Sequence, residues 1–122
     1  MPFKLLPVKQ LKAKVVFERP LDFGKTQKED CVVTYKKLDK DELKPMLSQL
    51  EAAQKGEDDK DDFEFLRQYV VNIEEIQDEN GEPVEYTETI LKEMLQENWM
   101  SMPLVMTFVN LQFQEKVVQE KN

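Results

Sequence analysis

The sequence predicts an α+β domain in which an N-terminal antiparallel β-hairpin packs with a bundle of about four helices. Two stretches near the N-terminus alternate apolar and polar residues with a period of two, which is typical of half-buried strands. After residue 38 the apolar residues recur at helical spacing instead. A chain of 122 residues is long enough to bury one core. We expect a single domain over residues 1–122, with an irregular arm (1–8), a hairpin (9–37) and a helical part (38–119) that contains an acidic linker (56–62).

Charge is unevenly distributed along the chain. Residues 1–40 hold 10 basic and 5 acidic residues, a net +5, and residues 41–122 hold 7 basic and 20 acidic, a net −13, which together give the total of −8. An acidic total argues against a general nucleic-acid-binding protein, because phosphate contacts need clustered Lys and Arg. We therefore expect no nucleic acid among the partners.

The two predicted strands lie on either side of a loop. Leu11, Ala13, Val15 and Phe17 alternate with polar residues until Pro20, which cannot donate to a ladder. The second strand carries Cys31, Val33 and Tyr35 at the same spacing. The loop between them contains Gly24. The arm before the hairpin has three apolar residues that could tuck onto the body: Phe3, Leu5 and Leu6.

A first helix is predicted after Leu38. Asp39 and Glu42 have the spacing of a capping box. A single helical face follows with Leu43, Met46, Leu47, Leu50 and Ala53. Pro45 favours a regular helix that begins as late as Lys44, since proline fits best in a first turn. The acidic linker lacks the spacing of a calcium-binding EF-hand loop, so we interpret it as a solvated segment whose last aspartate caps the next helix.

The middle of the chain predicts a second helix, a turn and a third helix. The second helix is indicated by a stripe of Phe63, Leu66, Tyr69, Val70 and Ile73. Asn80-Gly81 and Pro83 indicate a turn, followed by a short extended segment with Val84 and Tyr86. Thr87 is a candidate N-cap for a helix that runs to about Asn98.

Residues 90–118 concentrate the apolar surface of the chain. We expect a break at residues 100–102 and a last helix that starts near Pro103 and reaches about Gln119. Around Phe108 this helix is apolar on nearly every side, which exceeds what one small core needs. The surplus predicts a surface for a partner protein.

Catalytic signatures are absent from the sequence. The chain has no His and a single cysteine, Cys31, which therefore has no imidazole base and no intramolecular disulfide partner. Carboxylate pairs such as Glu74-Glu75 lie among polar residues, so we interpret them as solvated surface rather than as acid–base catalysts. No signal peptide, no membrane span, no metal-ligand spacing and no phosphate loop is recognisable. We expect a non-enzymatic protein without a cofactor or metal.

Methionine and tryptophan suggest where a partner binds. Met94, Met100, Met102 and Met106 cluster in sequence, and methionine suits surfaces that adapt to partners, although it also fills ordinary cores. Trp99 is either an interface anchor or a cap on the core between the last two helices. The predicted partner-binding residues are Trp99, Met102, Val105, Met106, Phe108, Val109 and Phe113.

The order of these elements resembles a known family. A basic hairpin leads to a helix, an acidic linker and the segment FLRQYVV (65–71), then the turn DENGEPVEYT (78–87) and the helix start ILKEML (90–95). In this order they are similar to the tail assembly chaperones of long-tailed bacteriophages and prophages. The resemblance covers most of the chain, and its most specific part is residues 78–95.

The resemblance implies a non-enzymatic role. Such chaperones bind the tape measure protein, a long hydrophobic helical client, and keep it soluble during tail assembly. The resemblance also implies self-association, a location in the cytoplasm of the bacterial host, and absence from the mature virion. The alternative is a small structural or tail-completion protein that forms a homo-oligomer and stays in the particle.

Overall fold

A three-stranded antiparallel sheet and four helices form the part of the protein that the computed structural model describes, residues 2–55 and 61–113. The strands are β1 (Gln10–Pro20), β2 (Thr26–Lys36) and β3 (Val70–Glu74), and the sheet order is β1-β2-β3. The helices are α1 (Lys40–Lys55), α2 (Asp62–Leu66), α3 (Glu88–Met94) and α4 (Asn98–Gln112). The predicted α+β class with an N-terminal hairpin is confirmed.

The hairpin follows the alternation in the sequence. β1 and β2 pair over their full length, from Gln10 opposite Lys36 to Pro20 opposite Thr26. Odd-numbered residues point to the core, because successive side chains of a strand alternate between faces. The buried residues of the two strands on this face are Ala13, Val15, Phe17, Cys31, Val33 and Tyr35.

The third strand corrects the predicted helix over residues 63–73. Only α2 is helical there, and β3 pairs with β2 through a register shift between Thr34 and Tyr35. Tyr35 pairs with Val70 and Thr34 pairs with Asn72, so Val71 is an extra, bulged residue. The bulge puts Val70 and Ile73 on the same buried face although they are three residues apart. The helix-like spacing of Val70 and Ile73 therefore comes from a bulged strand, while Phe63 and Leu66 belong to α2.

Two of the three predicted helix caps are confirmed, and the third is corrected by one residue. Asp39 and Glu42 form a reciprocal capping box, with both backbone N–H to carboxylate distances at 3.0 Å. Thr87 accepts a hydrogen bond from the Ile90 backbone N–H at the start of α3. Asp61, rather than the last aspartate of the linker, caps α2 by accepting from Glu64 N–H. Residues 56–60 of the linker lie outside the described part.

Several predicted helix boundaries are wrong. α1 begins at Lys40 and includes Pro45 in its interior, and α3 ends at Met94 rather than near Asn98. The predicted break at residues 100–102 is helical, because α4 begins at Asn98 and continues through Pro103. Each internal proline costs one backbone hydrogen bond, which the tertiary contacts of the helix offset. The predicted end of the last helix near Gln119 lies outside the described residues.

The core is built between the sheet and α4. Phe108 lies at its centre and is fully buried, with its ring centre 5.5 Å from that of Tyr35, 5.8 Å from Phe65 and 4.7 Å from Tyr69. Leu104 and Val105 are buried beside it. One face of α4 is therefore fixed against the sheet, and its other face is left outside.

Candidate protein-binding surface on the last helix

Polar contacts fix the rotation of α4 about its axis. The Gln112 side chain accepts from Leu38 N–H and donates to the Lys36 carbonyl, both at 2.8 Å. The Tyr35 hydroxyl donates to the Leu104 carbonyl, also at 2.8 Å. Near the start of the helix, the Ser101 hydroxyl donates to the Asp62 carboxylate. These contacts are spread over the helix, so it cannot rotate without leaving buried polar groups unpaired.

The outward side of α4 carries a stripe of apolar side chains. Met102, Met106 and Phe113 are 57%, 42% and 40% exposed, and Val109 between them is half-buried. The spacing of these four residues, the α4 stripe, follows the i, i+4, i+7, i+11 pattern of one helical face. Such a row on a surface helix is unusual, because the outer face of an amphipathic helix is normally polar.

No charged residue occurs anywhere in α4, although 34% of the chain is charged. Charged residues are depleted at the centre of protein interfaces, where methionine and aromatic residues are enriched. Methionine also adapts its shape to different partners. The α4 stripe therefore has the composition of a surface that binds an apolar partner.

The structure divides the seven predicted partner-binding residues. Met102, Met106, Val109 and Phe113 form the α4 stripe. For Val105 and Phe108 the prediction is wrong, because they are 4% and 0% exposed and belong to the core. They face the sheet, and a partner could reach them only if the domain opened. The sequence could not assign them, since α4 is apolar on nearly all sides.

Trp99 is half-buried and is used within the chain. Its ring packs edge-on against Phe17, with centres 6.2 Å apart, and the Arg19 guanidinium lies 4.8 Å from its ring centre. Arg19 in turn donates two hydrogen bonds to Glu29, which lower the pKa of that carboxyl. Trp99 therefore attaches the start of α4 to β1. Trp99 lies three residues before Met102, a spacing that places the two on neighbouring positions of one helical face.

Other exposed apolar residues were absent from the predicted site. The arm before β1 does not tuck onto the body, and Phe3 and Leu5 are 87% and 88% exposed. At the tip of the hairpin, Phe23 is 97% exposed. Its position between Pro20 and Gly24 in a predicted loop was the signal in the sequence that could have identified it.

A metal site requires several ligand side chains close together, and a reactive thiol requires an accessible thiolate. Within residues 2–55 and 61–113, no three side chains among Cys, Asp and Glu are placed to hold a metal ion. Cys31 is buried in β2, and burial, with smaller contributions from Asp30 and Glu75, raises the pKa of its thiol to about 12. A thiol with so high a pKa is a poor nucleophile at neutral pH. None of the described helices is long and apolar enough to cross a bilayer.

The buried thiol provides a test of the fold. We expect Cys31 to react with iodoacetamide at pH 8 at least about 100-fold more slowly in the native protein than in concentrated urea, because both burial and the raised pKa suppress the thiolate. Mass spectrometry over a time course measures both rates. Equal rates in the two solutions would contradict the position of Cys31 in the core.

Comparison with known proteins gives no relative. No protein-family model, no curated protein and no solved structure matches the chain.

Proposed function

We propose that this protein is a phage tail assembly chaperone that binds the tape measure protein and keeps it soluble until the tail is built. The observation that carries the proposal is the α4 stripe, an exposed apolar row on a helix without a single charge. A long helical client with an apolar face fits such a row by helix-to-helix packing. The resemblance of residues 65–95 to these chaperones supports the same role.

Charge supports the proposal as well. The chain carries a net charge of −8, and the 20 acidic residues of residues 41–122 outnumber the 7 basic ones. A net charge far from zero opposes aggregation of a complex that contains a hydrophobic client. The chaperone acts in the cytoplasm of the bacterial host and leaves before the virion is complete.

Client binding is tested by co-expression with a long apolar helical segment of the tape measure protein from the same genome. The wild-type chain should raise the fraction of this segment that remains in the supernatant after centrifugation. The Met102→Asp/Met106→Asp variant should lose most of that effect, because it places two charges in the α4 stripe and these lose hydration on binding. Both side chains are exposed, so the variant should fold.

The matched control is Leu47→Asp on α1. Leu47 and Met106 are both 42% exposed, so both substitutions place a carboxylate on an outer helix surface at similar cost to the helix. The control should hold the client in solution as the wild type does. The proposal fails if the wild type has no effect on the client, or if the α4 variant retains the full effect.

The alternative function, a structural or tail-completion protein retained in the particle, differs in location. Mass spectrometry of purified particles decides between the two. Peptides of this chain at a fixed ratio to the tail proteins would support the structural role. Their absence from particles that assemble only when the chain is expressed is the result that we expect of a chaperone.

A further inference from the structure

The outer edge of β1 offers a long row of backbone groups for pairing. β1 has 11 residues and lies at the edge of the sheet. Lys37 N–H donates to the Lys9 carbonyl and Leu21 N–H donates to the Lys25 carbonyl, so the odd-numbered residues between them bond to β2. The even-numbered residues from 12 to 18 direct their backbone N–H and C=O groups outward. Among the described residues, none of these groups has a hydrogen-bond partner.

Proteins usually protect such an edge with prolines, bulges or charged side chains, above all lysine. β1 has no proline before Pro20 and no bulge against β2. Its outer residues change sign along the strand, from Lys12 and Lys14 to Glu18. Lys12 also forms an exposed ion pair within the chain, 2.9 Å from Glu74, which leaves its ammonium group open to a second carboxylate. An edge with basic residues at one end and an acidic residue at the other is complementary to itself when two copies run antiparallel.

We propose that two copies of this chain pair antiparallel through their β1 edges and form one continuous six-stranded sheet. In the register that places Val15 opposite Val15 of the second copy, Lys12 lies opposite Glu18 of the second copy. Opposite charges that face each other across a strand pair stabilise it.

Neighbouring registers fit less well. A register centred on Lys14 places this lysine opposite its own copy, and like charges that face each other destabilise a sheet. A register centred on Val16 pairs Lys14 with Glu18 but leaves Gln10 and Leu11 opposite residues beyond the end of the strand. The register centred on Val15 sets no lysine opposite a lysine and pairs β1 over its full length, with Pro20 opposite Gln10 at the last position.

Exposed apolar residues at the two ends of β1 support the same arrangement independently. They lie in the arm before the strand and in the turn after it: Phe3 87%, Leu5 88%, Leu6 72%, Val8 57%, Leu21 45% and Phe23 97% exposed. In an antiparallel pair the beginning of each β1 lies beside the end of the other. The arm of each copy is thereby brought alongside the hairpin turn of the other, where both groups of side chains leave water.

The strand pairing uses the backbone of β1 and none of the four side chains of the α4 stripe, although α4 packs on the same strand through Trp99 and Phe17. The Met102→Asp/Met106→Asp variant should therefore dimerise as the wild type does. Failure of the client experiment and failure of this inference are thus distinguishable.

A charge exchange tests the pairing. Lys12→Glu makes two carboxylates face each other across the interface, and Glu18→Lys makes two ammonium groups face each other. Each variant alone should raise the dimer dissociation constant about tenfold, measured by sedimentation equilibrium. An equimolar mixture of the two variants should restore the constant to within about twofold of the wild-type value, since every facing pair in the heterodimer is again of opposite charge.

Amide hydrogen exchange provides a second measurement, which needs no variant. The amides of residues 12, 14, 16 and 18 should exchange quickly in dilute protein and become protected at high concentration, while those of residues 13, 15 and 17 are protected in both. Three results would overturn the inference: a chain that stays monomeric throughout the series, a dimer whose even-numbered amides still exchange quickly, or a mixture of variants that associates no better than each alone. The second result would indicate association through another surface, such as α4.

Discussion

Replacing Phe108 with alanine should lower the free energy of unfolding by about 3–5 kcal/mol. Phe108 is fully buried, and its ring contacts those of Tyr35, Phe65 and Tyr69, which come from β2, α2 and the segment before β3. Truncation removes apolar area from the core and leaves a cavity that three separate elements would have to move to fill. Equilibrium unfolding in urea measures the loss.

The matched control is Phe113→Ala, the same change one helical turn and a half further along the chain. Phe113 is 40% exposed and belongs to the α4 stripe, so its truncation should cost less than about 1 kcal/mol. The two variants should also differ in function, because only Phe113→Ala removes apolar surface from the proposed client-binding face. Similar losses of stability in the two variants would contradict the assignment of the two faces of α4.

The fold was predictable where a local pattern determined the structure. The period-two alternation of Leu11 to Phe17 identified β1, and the spacing of Asp39 and Glu42 identified the cap of α1. In both cases the determining interactions lie within the segment itself or with its neighbour in sequence. Such local patterns therefore correspond directly to elements of the folded structure.

The third strand was not predictable from the same pattern. Val70 and Ile73 have helical spacing, and only the bulge at Val71 brings both side chains to the buried face of a strand. The bulge exists because β3 must follow the register of β2, whose residues lie more than thirty positions earlier in the chain. Pairing at that distance leaves no trace in the local spacing.

The faces of α4 were predictable only in part. The sequence identified a helix with more apolar surface than the core needs, but its sides are too similar in polarity to separate buried from exposed residues. The separation is made by contacts from elsewhere, such as the aromatic rings around Phe108 and the hydrogen bonds of Gln112. Gln112 is the clearest case. Its polar side chain is only 3% exposed because it hydrogen-bonds to the backbone of the β2–α1 connection, and no sequence pattern reveals those bonds.

The role of Gln112 leads to the prediction with the second-largest effect. Its amide satisfies both Leu38 N–H and the Lys36 carbonyl in the short connection between β2 and α1. In a Gln112→Glu variant at pH 7, a carboxylate still accepts from Leu38 but repels the Lys36 carbonyl and is itself desolvated. We expect a loss of about 3 kcal/mol in the free energy of unfolding at pH 7.

The loss should depend on pH in a direction that identifies its cause. Burial and the facing carbonyl raise the pKa of the introduced carboxyl in the folded state above its unfolded value of about 4.3. The folded state therefore binds the proton more tightly, so the variant recovers below pH 4.3 and loses stability as the pH rises through the raised value. Near pH 3.5 the protonated group can donate to Lys36 as the amide does, and the difference from the wild type should fall below about 1 kcal/mol.

The control for this profile is Gln54→Glu, the same chemical change on the exposed side of α1. A carboxyl in water keeps an ordinary pKa, so this variant should follow the wild type within about 0.5 kcal/mol across the pH range. A pH-independent loss in Gln112→Glu would mean that packing rather than proton binding sets the cost. No loss at pH 7 would mean that Gln112 does not join α4 to the β2–α1 connection. The main contact that fixes the orientation of α4, and so leaves its stripe exposed, would then be missing.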